Sequence, residues 1–242
     1  MHGFLLRPSE SRLQAGTHLE VSRRMDSIIQ SDLRLEYEIP DALFSTDNEW
    51  GIPLLDRHRQ ADYLVMPFAG WGSCKRDTNL KGGTYHFYVD DYRFTALWKG
   101  PQAICYSHCG YAVEPNYTVC LTSPRAYVEW CVYRKRWLAR FWQSKGVRIW
   151  VDLNIPTEFG YLTFAGVPPE WRAYMTRGYE DRLEATRLEY LAAVNHHGND
   201  DILFAVYGGG KKVRENCKQH GWHWVPEDRD VAKGRYSQDG EE

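Results

Sequence analysis

No apolar run in the 242-residue sequence approaches the ~18–20 residues that a membrane-spanning helix requires. The opening stretch, Met1 to Met25, mixes charges throughout and has no apolar centre of the signal-peptide kind. No membrane association is expected, and the sequence reads as cytoplasmic. A charge excess is missing as well: Lys+Arg 30 against Asp+Glu 32 leaves a formal net charge of −2. That excludes a global grip on a polyanion and confines any such site to a local patch. Several catalytic signatures are also absent. There is no Gly-x-Ser-x-Gly elbow, no His-Glu-x-x-His, no paired-histidine strand motif of a nicking enzyme, and no Walker or dinucleotide glycine spacing.

What is present is the composition of a folded globular chain, 43% hydrophobic and 14% aromatic. The sequence divides into an arm over residues 1–40, expected to be partly helical, a body over 41–226, and an acidic tail over 227–242 expected to be solvated. In a reducing compartment the six cysteines are expected to be free thiols, and the sequon Asn116-Tyr117-Thr118 to stay unmodified.

In the body, short apolar runs alternate with helical segments. This pattern predicts an α/β fold, a mostly parallel sheet with outer helices, TIM-barrel-like and closed or partly open. Strands are expected at Asp62–Phe68, His86–Val89, Phe94–Trp98, Tyr111–Glu114, Val147–Leu153, Leu162–Val167, Ala173–Thr176, Ile202–Tyr207 and His223–Val225. Helices are expected from Pro124 to about Lys145, Tyr179 to His196 and Lys211 to His220, each followed by a glycine stop at Gly146, Gly198 or Gly221.

Polar residues collect where these strands end, and in barrels and open α/β sheets that rim binds ligands. Asp90, Asp91, Glu114 and Asp152 are therefore candidates to converge on a Mg²⁺ or Mn²⁺ ion. Asp91, Glu114 and Asp152 are the candidate catalytic groups, with Glu114 and Asp152 as acid and base in an alternative sugar- or nucleotide-modifying enzyme. Arg177, Gly209, Gly210 and Lys211 are candidate phosphate contacts, because a glycine loop before a helix lets an anion approach backbone amides. Arg134, Lys135, Arg136, Arg140 and Lys145, interleaved with aromatics on one helix, form the candidate nucleic-acid face. Zinc is not expected: Cys105, His108, Cys109 and Cys120 match no paired-ligand spacing.

The order of motifs Phe87-Tyr88-Val89-Asp90-Asp91-Tyr92-Arg93-Phe94, Val113-Glu114-Pro115-Asn116-Tyr117-Thr118, Tyr133-Arg134-Lys135-Arg136-Trp137, Thr176-Arg177-Gly178 and Val206-Tyr207-Gly208-Gly209 resembles a domain-of-unknown-function family carried by bacteriophages, plasmids and other mobile elements. The likeness covers roughly Trp50 to Pro226, with Asn116-Tyr117-Thr118 standing where an Asp-Phe-Ser-like ending is expected. It implies a mobile-element origin and a barrel-like α/β body. The leading expectation is a nucleic-acid-binding or nucleic-acid-processing protein, replication-associated, with DNA favoured over RNA as partner. A non-catalytic interaction module using aromatics such as Trp171 or Trp222 is the third reading. Nothing in the sequence sets an oligomeric state.

Overall fold

A computed structural model of the chain describes residues 44–72 and 80–237. The expected arm over residues 1–40, Cys74 and the end of the tail lie outside the described residues.

Seven parallel strands form one sheet in the order of the sequence: β1 (Phe68–Gly70), β2 (Thr84–His86), β3 (Tyr111–Val113), β4 (Arg148–Asp152), β5 (Ala173–Arg177), β6 (Leu203–Tyr207) and β7 (His223–Val225). Among the described residues each strand pairs with its predecessor and successor in sequence, and Ile149 of β4 also makes a parallel bridge to Gln60. The strand order therefore never reverses as it does in a doubly wound sheet, and the sheet curls into an open half-barrel. Among the described residues four α-helices accompany it: α1 (Arg125–Ser144), α2 (Leu183–His197), α3 (Gly210–His220) and α4 (Asp228–Ala232). The helix stops were legible: Gly198, for example, holds φ 92°, a left-handed conformation that side chains disfavour.

Alternation along the strands sorts the core. Phe68, Tyr111, Val113, Trp150, Ala173, Met175, Ala205, Tyr207 and Val225 cluster inside the curl. Ala112, Ile149, Val151, Tyr174, Phe204 and Val206 pack outward with α1 and α3 residues such as Trp137, Leu138, Trp142 and Val213. Burial of both faces explains the continuous apolar runs of β4 and β6.

Two expected strands are displaced, Asp62–Phe68 meeting β1 only at Phe68 and His86–Val89 meeting β2 only at His86, and two more are not strands. Phe94–Trp98 is mostly a 3₁₀ turn, Thr95–Trp98, and Leu162–Val167 follows a second such turn, Thr157–Leu162. Both segments bury apolar side chains (Phe94, Leu97, Leu162, Val167), and a short apolar run carries the same signal on a buried turn as on a strand. The tail is not simply solvated either. Asp228 begins α4, Asp230 is buried and paired with Arg235 at 3.1 Å, and Tyr236 packs edge-on against Trp224. Trp171 and Trp222 are buried, so neither is an exposed docking aromatic. No described helix is long and apolar enough to cross a membrane.

Candidate functional site

A cavity of about 910 Å³ opens at the carboxyl rim of the sheet, where the strand-end argument put it. Its wall includes Asp90 after β2, Asn116 after β3, Asn154 after β4, Arg177 at the end of β5, Arg182 before α2, and Glu227, Asp228 and Arg229 around the start of α4.

The expected carboxylate cluster is not assembled there. Glu114 lies outside the curl and is 0% exposed; its Oε2 pairs with Arg136 Nη1 and accepts the Asp152 amide at 3.2 Å. Asp152 points inward and is 1% exposed, held by Lys135 Nζ at 3.2 Å and by the Tyr88 hydroxyl, which donates at 3.1 Å. Burial pushes the Asp152 carboxyl above its ordinary range, against the pull of Lys135. Asp91 is occupied by Thr118, whose amide and hydroxyl donate to it at 3.0 and 2.9 Å. Asp90 sits 3.8 Å from Arg93. Among the described residues, no group of three or more His, Cys, Asp or Glu side chains could hold a metal ion.

The basic helix is corrected in part: Lys135 and Arg136 face the protein, Arg134 and Arg140 are half-buried, and Lys145 is exposed. Positions 128, 132, 135, 139 and 142 form the buried stripe of α1, so Lys135 and Arg136 lie in and beside it at 3% and 0% exposure. Arg136 also donates to the Ala165 and Thr163 carbonyls at 2.9 and 2.6 Å, tying the segment after β4 to the helix. Arg134 lies over the Tyr117 ring at 4.1 Å, Arg140 over Phe44 at 5.1 Å and Lys145 over Phe141 at 5.5 Å. Charged groups enter a core only when paired, and the matching acids on β3 and β4 are what allow this stripe.

Of the candidate phosphate contacts, Arg177 lines the cavity and the glycine loop does not. Gly209 adopts φ 79°, and a Cβ there would lie 2.4 Å from Val213 Cγ2 and 2.7 Å from the Gly178 carbonyl carbon, so the glycine serves loop-to-loop packing. Gly210 faces Glu180, and Lys211 is exposed, 3.8 Å from Glu215.

Sequence reasoning named Arg177 but missed its partner Arg182 and two further features. Arg177 and Arg182 flank the Tyr179 ring at 5.4 and 5.3 Å, and among the described residues neither has a carboxylate within ion-pair distance. Asn154 Nδ2 donates to Asn116 Oδ1 at 3.1 Å across the ends of β3 and β4. His86, fully buried against Phe68 and Tyr207, has its Nε2 3.6 Å from Asp228. The Tyr88 amide donates to His86 Nδ1 at 3.3 Å, which leaves the imidazole proton on Nε2, facing that carboxylate. Burial lowers the His86 pKa. The partners in this last pair are 142 residues apart, and no local sequence signal joins them.

The protein is thus a parallel α/β half-barrel with a rim cleft whose cationic side is formed by β5 and the turn into α2. Residues 44–188 match the family described as Domain of unknown function (DUF4417), and the chain belongs to it, as the motif order implied. It is similar to the Gene 1 protein of Mycobacterium phage L5, 34% identical over 134 residues, 52% of this chain and 56% of that protein. It is also similar to the Gene 1 protein of Mycobacterium phage D29, 32% identical over 134 residues, 52% of this chain and 47% of that protein. The chain thus spans about half the length of the relatives it matches. No solved structure matches.

Proposed function

We propose that this phage-family protein binds a phosphate-bearing ligand of the nucleic-acid type, a nucleotide or the end of a strand, in the rim cleft. The observation that carries the reading is the Arg177–Tyr179–Arg182 arrangement, two guanidiniums about one ring with no carboxylate in ion-pair range among the described residues. Guanidinium presents a planar fork that matches phosphate oxygens, and a half-shielded cleft strengthens the contact relative to open water. The cavity lies within the ~300–1,000 Å³ typical of small-ligand clefts and is open enough for a strand end to enter. Elsewhere in the cleft the charges are locally balanced, Arg93 with Asp90 and Arg229 with Glu227, so the phosphate would settle beside β5.

The test is a thermal-shift and fluorescence titration with inorganic phosphate, ribose 5-phosphate and short single-stranded DNA, with and without Mg²⁺. Arg177→Ala with Arg182→Ala should abolish binding, while Lys211→Ala and Lys145→Ala should not. The salt dependence should be shallow, a log–log slope of about −1 to −2, as expected when one or two phosphates are engaged. Unchanged binding in the double variant would sink the proposal.

A further inference from the structure

The cleft holds, besides its arginines, a pair of carboxamides that no structural role exhausts. Asn116 lies three residues past β3 and Asn154 two past β4; both are half-buried and both line the cavity. Their one shared hydrogen bond, Asn154 Nδ2 to Asn116 Oδ1 at 3.1 Å, leaves the Asn116 amino group and the Asn154 carbonyl oxygen without a protein partner among the described residues. A donor and an acceptor therefore stand side by side toward the cleft. Both residues are also held from behind. The Asn154 amide donates to Asp152 Oδ1 at 3.3 Å. Next to Asn116, the Tyr117 ring is buried beneath Arg134, and Thr118 is clamped twice by Asp91. Polar groups fixed this firmly lose little freedom on binding, which is the arrangement a recognition contact needs.

Geometry adds a second constraint. β4 lies between β3 and β5, so the strand ends that carry Asn116 and Arg177 are two strand spacings apart, roughly 10 Å. A nucleotide spans about that distance between its phosphate and the far edge of its base. Resting on the proposed phosphate contact at Arg177 and Arg182, we propose that the cleft is a nucleotide site that reads the base edge through the Asn116–Asn154 pair. Every base edge offers a neighbouring donor and acceptor, and a carboxamide engages such an edge in bidentate fashion. A sugar phosphate offers the anion without the edge. The ligand class is therefore nucleotides, free or at a strand end, and not sugar phosphates.

The experiment compares AMP, CMP, GMP and UMP with ribose 5-phosphate on the full chain by isothermal titration. The nucleotides should bind at least tenfold more tightly than ribose 5-phosphate. Asn154→Ala and Asn116→Ala should each remove most of that preference while leaving ribose 5-phosphate affinity unchanged. The isosteric Asn154→Asp, which removes the donor to Asn116 while conserving shape, covers the case in which alanine disturbs folding. It should change which nucleotide binds best. Equal binding of nucleotides and ribose 5-phosphate, or a preference that survives Asn154→Ala and Asn154→Asp, overturns base reading and leaves the phosphate site standing. Failure of ribose 5-phosphate and every nucleotide alike overturns both.

Discussion

Replacing Arg136 with Met keeps the bulk of the side chain and removes its charge, which isolates what the buried pair contributes. In the native protein Arg136 makes contacts in three directions: Glu114 Oε2, the Ala165 carbonyl and the Thr163 carbonyl. Without it, a fully buried carboxylate keeps, among the described residues, only Lys135 Nζ at 4.0 Å and the Asp152 amide at 3.2 Å, and two carbonyls lose their donors. Breaking a buried pair from one side costs about 3–5 kcal/mol, the lower half of that range applying here because Lys135 remains. Against a total stability of ~5–15 kcal/mol, urea unfolding should show a large fall in midpoint with little change in slope. Adding Glu114→Gln to Arg136→Met should recover part of the loss, since the stranded charge disappears. A loss below about 1 kcal/mol, or no recovery in the double variant, would refute the claim that these two charges hold α1 against the ends of β3 and β4.

Two further outcomes follow from single side chains. Burial raises the Glu189 carboxyl from 4.5 to about 7, so the folded state holds this proton longer than the unfolded one. Its contribution is therefore full below pH 4.5 and is lost as pH rises through 7, on the order of 3 kcal/mol in all. Glu189→Gln should flatten stability between pH 5 and pH 8 in urea titrations, and an unchanged slope would contradict the assignment. Gly209→Ala combines φ 79° with a Cβ 2.4 Å from Val213, and should cost roughly 1–3 kcal/mol in thermal unfolding. Since Gly209 does not line the cleft, phosphate affinity should be retained; a selective loss of affinity at native stability would restore the glycine loop as a phosphate contact.

The parallel α/β architecture was readable because burial of both sheet faces leaves continuous apolar runs, as in Ile149-Trp150-Val151, and because glycines punctuate each helix before its strand. The rim cleft followed from topology alone. The role of α1 was not legible in its composition. Tyr133 through Trp142 reads as an exposed basic face only if charge is assumed to mean solvent, whereas Val132, Lys135, Ala139 and Trp142 share one stripe. The helical period already placed Lys135 inward; what it could not supply was the pairing acid on a strand seventeen residues later. Phe94–Trp98 misled for a different reason, since a buried 3₁₀ turn and a buried strand both appear as a few consecutive apolar letters. Asp228 escaped because its neighbours Gly70 and His86 are distant in sequence, and such contacts leave no local pattern.

The charge of the protein is divided between its scaffold and its rim. Lys135 and Arg136 are cancelled inside the scaffold by Asp152 and Glu114, so the rim loops are fixed by ion pairs that a ligand never meets. The cleft itself is polarised along the strand order. Asp90, Glu227 and Asp228 stand where β1, β2 and β7 approach across the opening, a region bridged by the Gly70 amide donating to Asp228 at 3.2 Å. The neutral pair Asn116 and Asn154 stands at β3 and β4, with Glu158 beyond it, and Arg177 and Arg182 stand at β5 and the start of α2. Across the opening Asp90 and Glu227 are offset by Arg93 and Arg229, and Asp228 faces His86, so for the nucleotide proposed above the phosphate is favoured at β5, where the two arginines have no such partner among the described residues. Lys135 and Arg136 thus serve the fold, while Arg177 and Arg182 line the cleft.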